Sequence, residues 1–274
     1  MRHFNGKIQI SRWSIYLLLM ILAAGSLYPF IFMFLTSLTQ KKIMTASFDF
    51  SAMDLRNYKN LLSGFPILTY VKNSLIVVSC ACFFNVVIAT LAGYAFAKKK
   101  FPLKEVIFWL YLATLMMPGQ VILIPVFTIM KNLNMLNTYP SLFAVILDAF
   151  GVFLMRQFME GIPDDLIESA RIDGCGPVRT YFYIFLPLSK TILATLTIMK
   201  ATSTWNDFFY PLIFTQSERM RTVQLALQMF KGSTTTHFNW LMAATLITVI
   251  PMVIVYFLAQ KQFVQGIAST GMKN

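Results

Sequence analysis

Charge is scarce in this chain. Asp and Glu number 11 in 274 residues, Lys and Arg 23, and all four together make 12%, against roughly 25% in a soluble domain. Apolar residues reach 57%, which excludes disorder, since disorder needs low hydrophobicity. Three cysteines exclude a disulfide-built secreted domain. The net charge of +12 does not make a soluble nucleic-acid binder, because too little polar surface remains on which to cluster the basic residues. An integral membrane protein is what is left.

Long charge-free runs are what the chain does have. They lie between Arg12 and Lys41 (28 residues), Lys72 and Lys98 (25), Glu105 and Lys131 (25), and Lys231 and Lys261 (29). Each exceeds the about 20 residues a spanning helix needs. Two further apolar stretches are interrupted only by Asp148 and by Lys200 and Asp207. The pattern predicts an all-α membrane protein of six helices, at about 13–36, 70–97, 106–130, 139–158, 188–211 and 240–260. The first resembles a secretory signal, but its apolar run continues through Tyr28–Leu35, too far for a cleaved h-region, so it reads as an uncleaved anchor.

Lys98, Lys99, Lys100 and Lys104 crowd one short turn, while the next short turn holds only Lys131. Short basic loops stay inside, so that turn and both termini are expected in the cytoplasm. The organisation that follows is a cytoplasmic N-terminus (1–12), a transmembrane domain (13–260) and a cytoplasmic tail (261–274). The expected location is a bacterial or archaeal plasma membrane. The surplus of basic residues then faces anionic lipid, not nucleic acid.

One cytoplasmic loop, 159–187, carries more than connection. Pro163 suits a first helical position, and Asp164 and Asp165 suit the positive end of the helix dipole. Gly174 suits a left-handed C-terminal residue, and Gly176-Pro177 suits the start of a second short helix. The first helix mixes Leu166, Ile167 and Ala170 with Glu168 and Arg171. Its apolar side needs a surface, either the chain's own bundle or another protein.

Glu168-Ser169-Ala170, then Gly174, then Ile184, Leu186 and Pro187, resembles the EAA-x3-G-x9-I-x-L-P signature of membrane subunits of binding-protein-dependent ABC importers. Ser169 replaces the usual middle alanine. Asp173-Gly174, Asn57-Tyr58, Asn73-Ser74, Tyr94–Ala97, Trp205-Asn206 and Gln262–Gly266 extend the similarity to the carbohydrate-uptake, MalG-like branch. The resemblance implies a permease forming half of a pathway for a sugar or oligosaccharide, beside a second permease. It implies two ATPase subunits that bind ATP and Mg, and an extracytoplasmic binding protein that delivers the substrate. Glu168, Ser169, Ala170, Asp173, Gly174, Ile184, Leu186 and Pro187 would form the ATPase-docking loop. Glu168 would meet a polar or basic group, Ala170 would permit close contact, and Gly174 would set the angle between the short helices.

The residues agree that this chain hydrolyses nothing. A phosphate loop needs G-x4-G-K-[ST]; the nearest approach, Gly266 to Gly271, is followed by Met272. The two histidines, His3 and His237, fall on opposite sides of the membrane, so neither a metal site nor a triad can form, and no cofactor is expected on this chain.

Asp148 lies about 14 Å in from Tyr139 and Lys200 about 15 Å from Lys190, so both fall near mid-membrane, where they could pair or share a polar path. Asp207, with Trp205 and Asn206, is a candidate for the pathway entrance, although Trp205 also suits an interfacial anchor. The small residues Ala81, Asn85, Ala89, Gly93 and Ala97 recur every fourth position, a pattern that admits close helix packing, most simply within the chain. Cys80, Cys82 and Cys175 read as reduced and structural. The rivals are an ABC permease for a non-sugar solute and a secondary transporter; the latter would show two similar halves, and no such repeat is visible.

Overall fold

The computed structural model describes residues 12–39, 53–144, 149–231 and 238–271. Among them no strand occurs, and the chain is helical almost throughout. Three helices are long and apolar enough to cross a membrane, or up to five if each of two bent pairs is one span. The chain divides into two compact units, one of 1–65 with 230–247, the other of 66–229 with 248–274.

The smaller unit holds α1 (Arg12–Leu38), α2 (Arg56–Gly64) and the first turns of a long final helix. From Arg12 to Ile31 every residue of α1 is exposed. A helix apolar on all sides and open all round must be covered by lipid or a partner. Its far end is tied down by polar groups. Asn57 donates to the carbonyls of Ser37 (2.8 Å) and Thr39 (2.7 Å). Asn239 donates to Thr39 O and to Asn57 Oδ1, each at 3.1 Å.

The larger unit is built on α3 (Ile67–Lys98). It is followed by α4 (Lys104–Ala113), α5 (Gly119–Asn132), α6 (Tyr139–Phe143) and α7 (Ala149–Glu160). The two-helix loop holds α8 (Asp165–Ile172), α9 (Pro177–Thr180), a π-helical turn (Tyr181–Phe185) and α10 (Leu186–Leu188). Then come α11 (Lys190–Trp205), α12 (Phe209–Phe214), α13 (Val223–Lys231) and α14 (Phe238–Gly271).

Small residues decide how α3 packs. Ala81, Asn85, Ala89 and Gly93 are buried, and the face they form meets α7 of the same chain. A Cβ added to Gly93 would stand 2.6 Å from Met155 Cβ, and one added to Gly151 would stand 3.1 Å from Ala89 Cβ. Each helix thus presents a glycine where the other's backbone passes, the small-residue contact that brings membrane helices together. The cluster beside it includes Ala89, Tyr94, Val152, Met155, Phe185 and Leu196.

Several expected spans are differently shaped. The helix expected over 106–130 breaks between α4 and α5, which diverge by 104°. Pro118 forbids helical backbone at Met117, whose ψ is 119°. The helix expected over 188–211 ends at Trp205, because the Asp207 carboxylate accepts the Phe209 N–H at 3.1 Å and turns the chain there. It is also bent by 75° from the segment before it. The helix expected over 139–158 is seen as α6 and α7, with 145–148 outside the described residues. The last helix does not stop at 260 but continues through the expected tail to Gly271. Helicity outlasts the apolar run because nothing there breaks it.

Candidate functional site

The two-helix loop is built by local rules. The first helical position of α8, expected for Pro163, falls instead at Asp165, with Asp164 at the N-cap. Its acidic first-turn residues, Asp165 and Glu168, oppose the positive end of the dipole. The helix ends as the glycine predicts. Gly174 has φ of 79°; its N–H bonds Arg171 O at 3.1 Å, and the Cys175 N–H bonds Ala170 O at 2.8 Å. These two bonds are a Schellman ending. No neighbour stands within 4 Å of where a Cβ on Gly174 would be. Any side chain there would therefore cost backbone strain alone, about 1–2 kcal/mol. Pro177 then opens α9.

The second half of the loop leans on the lysine-rich end of α3. The Thr90 and Tyr181 hydroxyls bond at 2.7 Å, and Tyr94 Oη donates to Pro177 O at 3.3 Å. The Tyr94 ring lies 5.5 Å from that of Tyr181 and 4.9 Å from that of Phe185. Ile184 and Leu186 are half-buried against this cluster, and Pro187 sits at the bend into α11. The signature positions therefore have visible physical duties. Ile184 and Leu186 seat the loop, and Pro187 removes a helix donor where the chain turns through a π-helical step.

The first half is held by an ion pair. Lys98 Nζ donates to Ile162 O and to Asp164 Oδ1, both at 2.6 Å. The hydrogen bond from Lys98 holds the Asp164 carboxyl below its ordinary value of 3.8. The link is thus intact above the usual carboxylate range and is lost only as pH falls through that depressed value.

What the loop presents outward differs from what it buries. Glu168, Ser169, Ile172 and Asp173 are exposed, with Ile172 at 86%. Glu168 engages no partner among the described residues. Ala170 is only 5% exposed. Its small side chain is thus largely covered by its own chain.

A second polar cluster was not singled out from sequence. Arg156 on α7, with its side chain 10% exposed, donates from Nη2 to both Glu105 oxygens at 2.9 Å and from Nε to Glu160 at 2.7 Å. Its guanidinium lies 3.9 Å from the Phe108 ring centre. The i,i+4 spacing of Arg156 and Glu160 was the available signal; Glu105, 51 residues away, gave none.

The candidate pathway residues other than Asp148 follow one another along α11 and the turn after it. Lys200 is 5% exposed on α11; its expected partner Asp148 lies outside the described residues. Trp205 is also 5% exposed, so its ring packs within the chain. Asn206 is exposed and accepts from Gln224 at 2.9 Å. Asp207 keeps one buried oxygen, Oδ2, without a hydrogen bond among the described residues. Cys80, Cys82 and Cys175 form no disulfide. Among the described residues no group of three His, Cys, Asp or Glu side chains is placed to hold a metal.

Three to five helices long and apolar enough to cross a membrane are the build of a multi-pass membrane protein. The chain belongs to the family of binding-protein-dependent transport system inner membrane components, whose profile matches residues 85–269. It is similar to the sn-glycerol-3-phosphate transport system permease protein UgpE of Yersinia enterocolitica, 38% identical over 189 residues, 68% of this chain and 67% of that protein. It is also similar to the probable ABC transporter permease protein YurM of Bacillus subtilis, 36% identical over 210 residues, 76% of this chain and 70% of that one. A solved structure of a bacterial ABC transporter involved in the import of the acidic polysaccharide alginate superposes with a TM-score of 0.80, covering 93% of this chain and 99% of that chain at 23% identity. At that identity the likeness speaks for the fold.

Proposed function

We propose that this chain is one of two permease subunits of an ATP-driven importer in a bacterial inner membrane, and that its substrate is a sugar, sugar phosphate or oligosaccharide. In this reading six spans place both termini and the 159–187 loop in the cytoplasm. The loop docks on a separate ATPase that binds ATP and Mg, and a binding protein delivers the substrate from outside. The observation that carries the reading is the loop itself. Glu168 and Ser169 stand exposed on a helix whose start is pinned by Lys98 and whose end is fixed by Gly174. A helix so seated, with an outward acid that has no partner among the described residues, suits transmission of force to the bundle. The substrate class rests on the glycerol-3-phosphate and alginate systems in which the similar proteins work. The signature positions 168–187 are a further support.

Affinity purification of the chain from its own host in mild detergent tests the reading. An ATPase at two copies per complex and a second, different permease are expected to co-purify. Recovery of the chain alone, or only with copies of itself, under conditions that retain lipid would contradict it.

A further inference from the structure

Both halves of the two-helix loop converge on one side chain of α3. Lys98 has a side chain only 5% exposed. Its ammonium bonds Ile162 O and Asp164 Oδ1 ahead of α8, and lies 5.9 Å from the Phe185 ring centre in the second half. An ammonium has three donors and no acceptor, so it suits a junction where several acceptors meet. We propose that Lys98 is the positioning residue that makes α8 and α3 move as one body, carrying displacement of the loop into the span. The proposal rests on the docking reading above for the source of that displacement.

Two features support this beyond contact. The first is what Asp164 forgoes. It occupies the N-cap of α8, yet its side chain makes no cap hydrogen bond, although an N-cap Asp ordinarily accepts one from its own helix. It bonds Lys98 instead, so the start of α8 is fixed to α3 rather than to itself. Without Lys98 that bond is gone, while the backbone bond from the Glu168 N–H to Asp164 O at 3.1 Å remains. Then α8 would keep its helix and lose its link. The second is what α3 touches. Gly93, little more than one turn from Lys98, lies so close to α7 that a Cβ would meet Met155 at 2.6 Å. Contact that tight passes a displacement of α3 on to its neighbour, because packed interiors are stiff.

The test measures the link directly, with MgATP as the probe. In the full complex, with the three cysteines replaced by serine, spin labels are placed at Asp165 on α8 and at Leu91, exposed on α3. A rigid link predicts one narrow distance distribution that MgATP leaves unchanged. Lys98→Met is expected to keep the ATPase bound and to show a second, shifted population. The Asp164 side chain is 74% exposed, so losing the pair is expected to move the equilibrium about two- to fivefold. Lys98→Arg, which can donate to both acceptors, is expected to restore the narrow distribution. A Lys98→Met distribution identical to wild type, with and without MgATP, would overturn the proposal. So would a wild-type distance that itself changes on MgATP, or loss of the ATPase from Lys98→Met. If the wild-type chain holds no ATPase, the docking reading fails on its own. The nucleotide-free distributions of wild type and Lys98→Met still decide whether the pin exists.

Discussion

Gly93→Leu is expected to abolish accumulation of the folded chain in the membrane. The reason is backbone proximity. A Cβ at position 93 would stand 2.6 Å from Met155 Cβ, and 3.1 Å from both Met155 C and Arg156 N. None of these atoms is the free end of a side chain, so no rotamer change makes room and the helices must separate. Overpacking a well-filled core costs about 1–3 kcal/mol, occasionally more, which is the range expected for Gly93→Ala. Leucine adds three carbons beyond that Cβ and cannot seat at all. Met155→Ala should not rescue Gly93→Ala, because alanine keeps the offending Cβ. Gly25→Leu is the control: nothing lies within 4 Å of that site, and its level should match wild type. Quantifying the chain in detergent-solubilised membranes, with thermal unfolding of whatever accumulates, checks the series. Normal levels of Gly93→Leu would mean that α3 and α7 do not pack as described.

The second large effect concerns partnership, not folding. Glu168→Lys leaves the fold in place, since position 168 is exposed and such substitutions usually stay within about 0.5 kcal/mol. At the proposed docking surface the same change sets a lysine where a carboxylate met a polar or basic group. Like-charge juxtaposition across an interface costs several kcal/mol, and each 1.4 kcal/mol is about a factor of ten in affinity. The ATPase should therefore bind about a hundredfold more weakly or be lost, while thermal unfolding of the permease is unchanged. Glu168→Gln, which keeps a hydrogen-bonding side chain, should lose much less. Full retention of the ATPase by Glu168→Lys would remove Glu168 from the docking surface.

The parts of this molecule that sequence revealed are those governed by local or periodic rules. Gly174 was legible because only a left-handed residue ends α8 in a Schellman turn, and glycine is what that conformation favours. The stripe from Ala81 to Ala97 was legible because helix neighbours recur every fourth residue. Helix shape was not. Hydropathy locates apolar runs and is blind to direction, so Met117-Pro118 passed unnoticed inside one run and Asn206-Asp207 inside another. Likewise α14 continues to Gly271 because an apolar run and a helix need not end together. Least legible were contacts between distant residues. Lys98 and Asp164 are 66 positions apart, and in sequence Lys98 was one of four lysines in a basic turn. Only the fold separates the lysine that pins the loop from Lys99, which lies over the Tyr94 ring at 4.9 Å, and from exposed Lys100.

The central claim is that transport through this chain is driven by ATP hydrolysed on another subunit. Uptake into proteoliposomes containing the purified complex tests it most directly. The binding protein and a labelled sugar are supplied outside and MgATP is sealed inside. The account predicts uptake that requires internal MgATP and persists when proton and sodium gradients are collapsed. Uptake that proceeds without ATP, and stops when an ion gradient is removed, would contradict it.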